Sequence, residues 1–121
     1  MEKITGLFVL SCALTASLGS VQKTWAAAES PRHVEVTAHR YTFDPGVIVL
    51  RKGQPVVLVL KSADVAHGLR IRELGIEIKV PRGGSTQIQF TPDKVGDFVG
   101  HCSVFCGSGH GTMTLTLRVV D

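Results

Sequence analysis

The chain has 121 residues, enough for one domain and too few for a multi-domain enzyme. Apolar residues make up 44 % and charged residues 19 %, a composition that folds rather than one that stays disordered. The net charge of +3 is spread along the whole chain, whereas a nucleic-acid footprint is clustered; nucleic-acid binding is therefore excluded, as is a polytopic membrane protein, because only one stretch is apolar enough to approach a bilayer.

That stretch comes first. Met1-Glu2-Lys3 is a short charged start, Ile4 to Val21 carries no charge, and Ala26-Ala27-Ala28 offers a small-residue exit. The pattern predicts a secretory signal peptide over 1–28 and an exported, periplasmic domain over 29–121. A single membrane anchor and a lipid on Cys12 are the alternatives, so membrane contact is expected only through a partner or through an uncleaved or lipidated N-terminus. Removal of 1–28 takes Cys12 away and leaves Cys102 and Cys106 in an oxidising compartment.

The remaining signals are all strand and turn. Val34, Val36 and Ala38 alternate with Glu35 and Thr37. Asp44-Pro45-Gly46 is a turn, Val47 to Leu50 a short strand, and Arg51 to Pro55 a second turn. Val56 to Leu60 is a continuous apolar run, as expected of an inner strand. Gly68 to Ile71, Ile76 to Val80, Thr86 to Phe90 and Phe98 to Cys102 are further extended segments, and Met113 to Val119 alternates as the last. Seven or so short strands with Gly/Pro corners and no helical stretch predict an all-β sandwich or barrel, with antiparallel sheets that carry function on loops at one end.

The loop before the last strand concentrates the chemistry. Cys102, Cys106, His110 and Met113 stand in a Cys-x3-Cys-x3-His-x2-Met spacing, with Gly107, Gly109 and Gly111 allowing a tight fold around a centre. Thiolate, imidazole and thioether together are a copper ligand set; zinc has little use for the thioether. Taken one at a time, the residues have plainer readings. The two cysteines alone suit a disulfide, Met113 alone a core position, and His110 alone an exposed loop. A disulfide explains neither the His nor the Met. His67, just past the inner strand in Asp64-Val65-Ala66-His67-Gly68, can reach the same pole of a sandwich. His101, next to Cys102 on a strand, points to the opposite face and is not expected to be a ligand. His33 and His39 have nothing that pairs them with the loop.

Thr42-Phe43-Asp44-Pro45, Lys52-Gly53-Gln54, Asp64-Val65-Ala66-His67-Gly68 and the Cys-x3-Cys-x3-His-x2-Met loop make the chain similar to the dinuclear copper (CuA) cupredoxin domain. That domain occurs in cytochrome c oxidase subunit II and at the C-terminus of nitrous oxide reductase. The resemblance covers roughly Val34 to Val120 and implies a Greek-key β-sandwich or barrel. It implies two copper ions bridged by the thiolates of Cys102 and Cys106. His67 and His110 would each bind one copper, Met113 would be the weak ligand on one, and the backbone carbonyl of Val104 the weak ligand on the other. Val104 departs from the Glu common in oxidases, and Trp25, the only tryptophan, lies in the leader. The paired membrane helices of subunit II and the propeller of nitrous oxide reductase have no counterpart here, so the chain resembles the copper domain standing alone.

The resemblance thus implies a non-enzymatic electron carrier, free-standing or the electron-entry module of a terminal oxidase or reductase. Its partner would be a redox protein such as cytochrome c or an oxidase/reductase core. A copper chaperone or storage protein that delivers copper to an oxidase is the second reading. A metal-free sandwich with one disulfide is the third. Arg70, Arg72, Lys79 and Arg82 form a modestly basic stretch, read as a solvated face.

Overall fold

A computed structural model describes Gly19 and residues 30–121. The leader expected over 1–28, including Cys12 and Trp25, lies outside the described residues apart from Gly19. Nine strands follow: β1 Arg32–His39, β2 Thr42–Asp44, β3 Val47–Arg51, β4 Val56–Ser62, β5 His67–Ile71, β6 Ile76–Val80, β7 Ser85–Phe90, β8 Gly96–His101 and β9 Thr114–Val120. Two single 3₁₀ turns, Arg72–Leu74 and His110–Thr112, interrupt them, and the described residues contain no α-helix. The all-β expectation therefore holds, with Ser62, Ser85 and His101 as strand ends a residue or two from those expected.

Two sheets face one another. One has the order β2-β1-β4-β7, the other β3-β9-β8-β5-β6. The run Val56 to Leu60 is interior as expected, since β4 lies between β1 and β7. The expectation of antiparallel sheets needs correction, because β1 runs parallel to β4 and β3 parallel to β9. The reason is topological. After the β1–β2 hairpin the chain crosses to the other sheet as β3 and returns as β4. That detour replaces the tight turn an antiparallel neighbour requires with a crossover.

The alternating residues fill the space between the sheets. Val34, Val36 and Ala38 point inward beside Leu58, Leu60 and Ser62 of β4, and Leu115, Leu117 and Val119 close the core from the opposite sheet. The β3–β4 corner tightens through the Gln54 amide, which donates to the Arg51 carbonyl, while Gly53 takes a left-handed φ of 82°. Leu60 is fully buried. Leu60→Ala is expected to lower unfolding stability by about 2–5 kcal/mol, because the methyls are lost and a rigid two-sheet interior refills the void poorly. Urea unfolding of the domain checks this; a loss under about 1 kcal/mol would contradict the packing described.

Candidate metal centre

The site forms at one pole, where β4 and β8 end and β5 and β9 begin. Residues 102–113 fold back on themselves through main-chain bonds. The Cys102 amide donates to the Met113 carbonyl at 3.1 Å, the His110 amide to Gly107 at 3.2 Å and the Met113 amide to His110 at 3.3 Å. The Ser103 amide donates to the Gly68 carbonyl at 3.3 Å, which ties this loop to β5. Gly68 makes the approach possible. A Cβ there would collide with Ser103 Oγ and stand 3.1 Å from Val104 Cγ2.

These constraints bring the expected donors together. The Sγ atoms of Cys102 and Cys106 are 3.8 Å apart, and both thiols are free and buried. The disulfide considered for this pair is therefore not formed in this structure, since a bond requires about 2.05 Å. His67 Nδ1 lies 3.9 Å from Cys102 Sγ, His110 Nδ1 lies 3.7 Å from Cys106 Sγ, and Met113 Sδ lies 3.8 Å from Cys106 Sγ. The Cys102 thiol also donates to the Val104 carbonyl at 3.1 Å. Metal–sulfur bonds of about 2.3 Å and metal–nitrogen bonds of about 2.0 Å span gaps of this size at tetrahedral angles. The donor set therefore fits a soft metal ion without rearrangement of the main chain.

Each sulfur has its own imidazole neighbour, His67 Nδ1 at Cys102 and His110 Nδ1 at Cys106. His67, Cys102 and Cys106 place their ligand atoms within 4.8 Å of one another, and His110 falls outside that group. His67 opens β5 and is completely buried, so it is a strand residue rather than the loop residue its position after β4 suggests. Met113 is completely buried just before β9, so it is a core residue whose Sδ nonetheless lies beside Cys106. His101 ends β8 with its side chain exposed while Cys102 is buried, as the strand alternation requires. His33 and His39 lie on β1 and belong to no cluster of metal-binding type among the described residues.

The carboxylate of Asp64 organises His67. Its Oδ1 is 2.6 Å from His67 Nε2 and accepts the Val65 amide at 2.7 Å, while Oδ2 accepts the Arg40 amide at 2.8 Å. Burial acts to raise the Asp64 pKa, but hydrogen bonds from the Arg40 amide, His67 and the Val65 amide together outweigh it and lower it to about 2. An ionised Asp64 favours the proton on Nε2 and leaves the Nδ1 lone pair facing Cys102. Burial pushes the Cys106 thiol up to about 11, with its hydrogen bond to Cys102 adding to the rise and the Arg40 charge opposing it. A thiol held this firmly protonated is nearly inert until a metal displaces the proton.

Two contributors escaped sequence reasoning. Arg40 Nε donates to the Cys106 carbonyl at 2.8 Å across 66 positions of sequence, and no local pattern signals such a contact. The Tyr41 ring packs on Gly107 and Gly109, where any Cβ would strike it. Asp64 stands in the sequence only as part of a motif with no role assigned to it; its three-residue spacing from His67 is the signal that could have singled it out.

Comparison with known proteins agrees with this geometry. The model of the cupredoxin-like domain matches residues 7–115. The chain belongs to the cupredoxin-like domain family. It is 34 % identical over 86 residues to a probable cytochrome c oxidase subunit 2 of Streptomyces avermitilis, covering 70 % of this chain and 27 % of that protein. It is 29 % identical over 88 residues to cytochrome c oxidase subunit 2 of Thermus thermophilus, covering 73 % of this chain and 65 % of that sequence. The chain thus spans between about a quarter and two thirds of the curated relatives it matches. The fold is shared with the periplasmic domain of subunit II of cytochrome oxidase of Bradyrhizobium japonicum, at a TM-score of 0.68 and 22 % identity, covering 74 % of this chain and 84 % of that one.

Proposed function

We propose that this domain is an exported electron carrier whose copper centre is of the dinuclear, CuA type. The observation that carries the reading is the sulfur pair with one imidazole nitrogen in contact with each sulfur. Cys102 and Cys106 would bridge two copper ions, and His67 and His110 would each complete one of them. Met113 Sδ and the Val104 carbonyl would be the weak ligands. Bound there, such a pair shares one electron over both metals. The protein's own contribution is rigidity: loop ends anchored to β5, β8 and β9 keep the donors in place in both oxidation states. The burial of His67, Cys102, Cys106 and Met113 keeps water from them.

The mature chain would begin near Glu29, after removal of the leader, and reside in the periplasm. Among the described residues no helix is long and apolar enough to cross a membrane. The relatives named as oxidase subunits support a redox partner, such as a c-type cytochrome or an oxidase core. The same burial argues against copper delivery, because a delivery protein needs thiols that its acceptor can reach. Transfer of copper to an apo acceptor domain should therefore be slow.

Copper loading followed by metal analysis and electron paramagnetic resonance tests the assignment. Two coppers per chain, with hyperfine splitting shared by two nuclei, is the expected result. One copper with a mononuclear pattern would overturn it.

A further inference from the structure

The turn between β1 and β2 reaches the metal centre from outside the two ligand-bearing segments. We propose that Arg40 is a positioning residue of the centre, which pins the Cys106 main chain and holds a fixed positive charge beside the bound copper, so favouring its reduced state. This rests on the copper reading above and concerns a residue that supplies no metal ligand.

Three observations carry it. Arg40 Nε donates to the Cys106 carbonyl at 2.8 Å, so a guanidinium sits against the backbone of a residue whose Sγ is central to the donor cluster. The Arg40 amide holds Asp64 Oδ2 at 2.8 Å, and that same carboxylate orients His67. One residue thereby joins the His67 end of the site to the Cys106 end. Finally, the Arg40 side chain lines a groove of about 280 Å³ with Val65, Ala66, Phe105, Cys106 and Gly107, and its guanidinium pairs with no carboxylate among the described residues. Its charge is therefore not neutralised by a direct ion pair. Arg40 is exposed, so solvent screens part of that charge and its effect on the centre is modest.

The physical consequence has two separable parts. The hydrogen bond restrains residues 106–112, whose own closing bonds are the His110 amide to Gly107 and the Thr112 amide to Gly109. The charge acts through space. A cation beside copper destabilises the more positive, oxidised form and shifts the redox equilibrium toward the reduced one. The carboxylate of Asp64 lies on the His67 side and pulls the other way, so removal of Arg40 leaves that negative charge unopposed.

Two substitutions separate the parts. In Arg40→Gln the side-chain amide nitrogen stands at the same place along the chain as Nε, so the bond to the Cys106 carbonyl is retained while the charge is lost. Arg40→Met loses both. Neither touches the Arg40 amide, so Asp64 and His67 stay anchored. Amide hydrogen exchange at His110 and Thr112 in copper-free protein is expected to match the parent in Arg40→Gln and to accelerate about tenfold or more in Arg40→Met. In copper-loaded protein, the equilibrium constant for reduction by a fixed mediator is expected to fall about threefold to tenfold in both. Parent-like exchange in Arg40→Met would overturn the pin, and an unchanged redox equilibrium in Arg40→Gln would overturn the charge effect. The exchange arm needs no metal, so a parent protein lacking the two-copper spectrum would refute the dinuclear reading and leave the pin decided on its own evidence.

Discussion

Cys106→Ser is expected to abolish the proposed two-copper centre and to leave at most one copper per chain. Cys106 Sγ stands within 3.8 Å of Cys102 Sγ, 3.7 Å of His110 Nδ1 and 3.8 Å of Met113 Sδ, so it is the sulfur on which most of the cluster converges. A serine hydroxyl is a hard, protonated oxygen near neutral pH and a poor substitute for a bridging thiolate toward a soft metal. No neighbouring sulfur can move in, because Cys102 already faces His67 and Met113 is locked in the core. Cys102→Ser should fail in the same way. Loss of the intense visible absorption and of the two-nucleus hyperfine pattern checks the prediction. A native spectrum in either variant would mean that the thiolates do not bridge. Met113→Leu makes the useful contrast. It conserves volume in a buried position, so stability should change by less than about 1.5 kcal/mol, and an axial thioether mainly tunes potential.

The second large effect is expected from a residue that touches no metal. Gly68→Ala should destabilise the domain by about 1–3 kcal/mol and weaken copper retention, because the added methyl has nowhere to go. It would collide with Ser103 Oγ and press within 3.1 Å of Val104 Cγ2 and 3.3 Å of the Val104 amide nitrogen. Those atoms belong to the segment that carries Cys102 and the Val104 carbonyl, and β5 cannot retreat, since its neighbour Leu69 is completely buried. The strain therefore falls on the loop and is relieved by breaking the bond from the Ser103 amide to the Gly68 carbonyl. Chemical unfolding with and without copper, together with copper dissociation into a chelator, measures both effects. A variant with parent stability and parent copper release would show that the loop yields at little cost.

Much of this was legible in the chain itself. The alternation of Val34, Val36 and Ala38, and of Leu115, Leu117 and Val119, determined which residues face the core, because side chains on a strand alternate regardless of what packs on them. The spacing of Cys102, Cys106, His110 and Met113 within one loop determined the chemistry of the donor set, since ligands close in sequence can converge through local turns. The same alternation set His101 apart from Cys102.

Other features arose only from the tertiary structure. The parallel pairing of β1 with β4 and of β3 with β9 depends on which sheet the chain enters after each corner, and no local pattern encodes that choice. The completely buried His67 at the start of β5, with its ring fixed by Asp64, required the β4–β5 loop to fold under the 102–113 segment. Arg40 reaches Cys106 across 66 positions, and Tyr41 covers Gly107 and Gly109, because the β1–β2 turn ends at the same pole as the ligand loop. Local residue pattern specifies which atoms can bind; chain topology alone decides which distant groups hold and charge the place where they do.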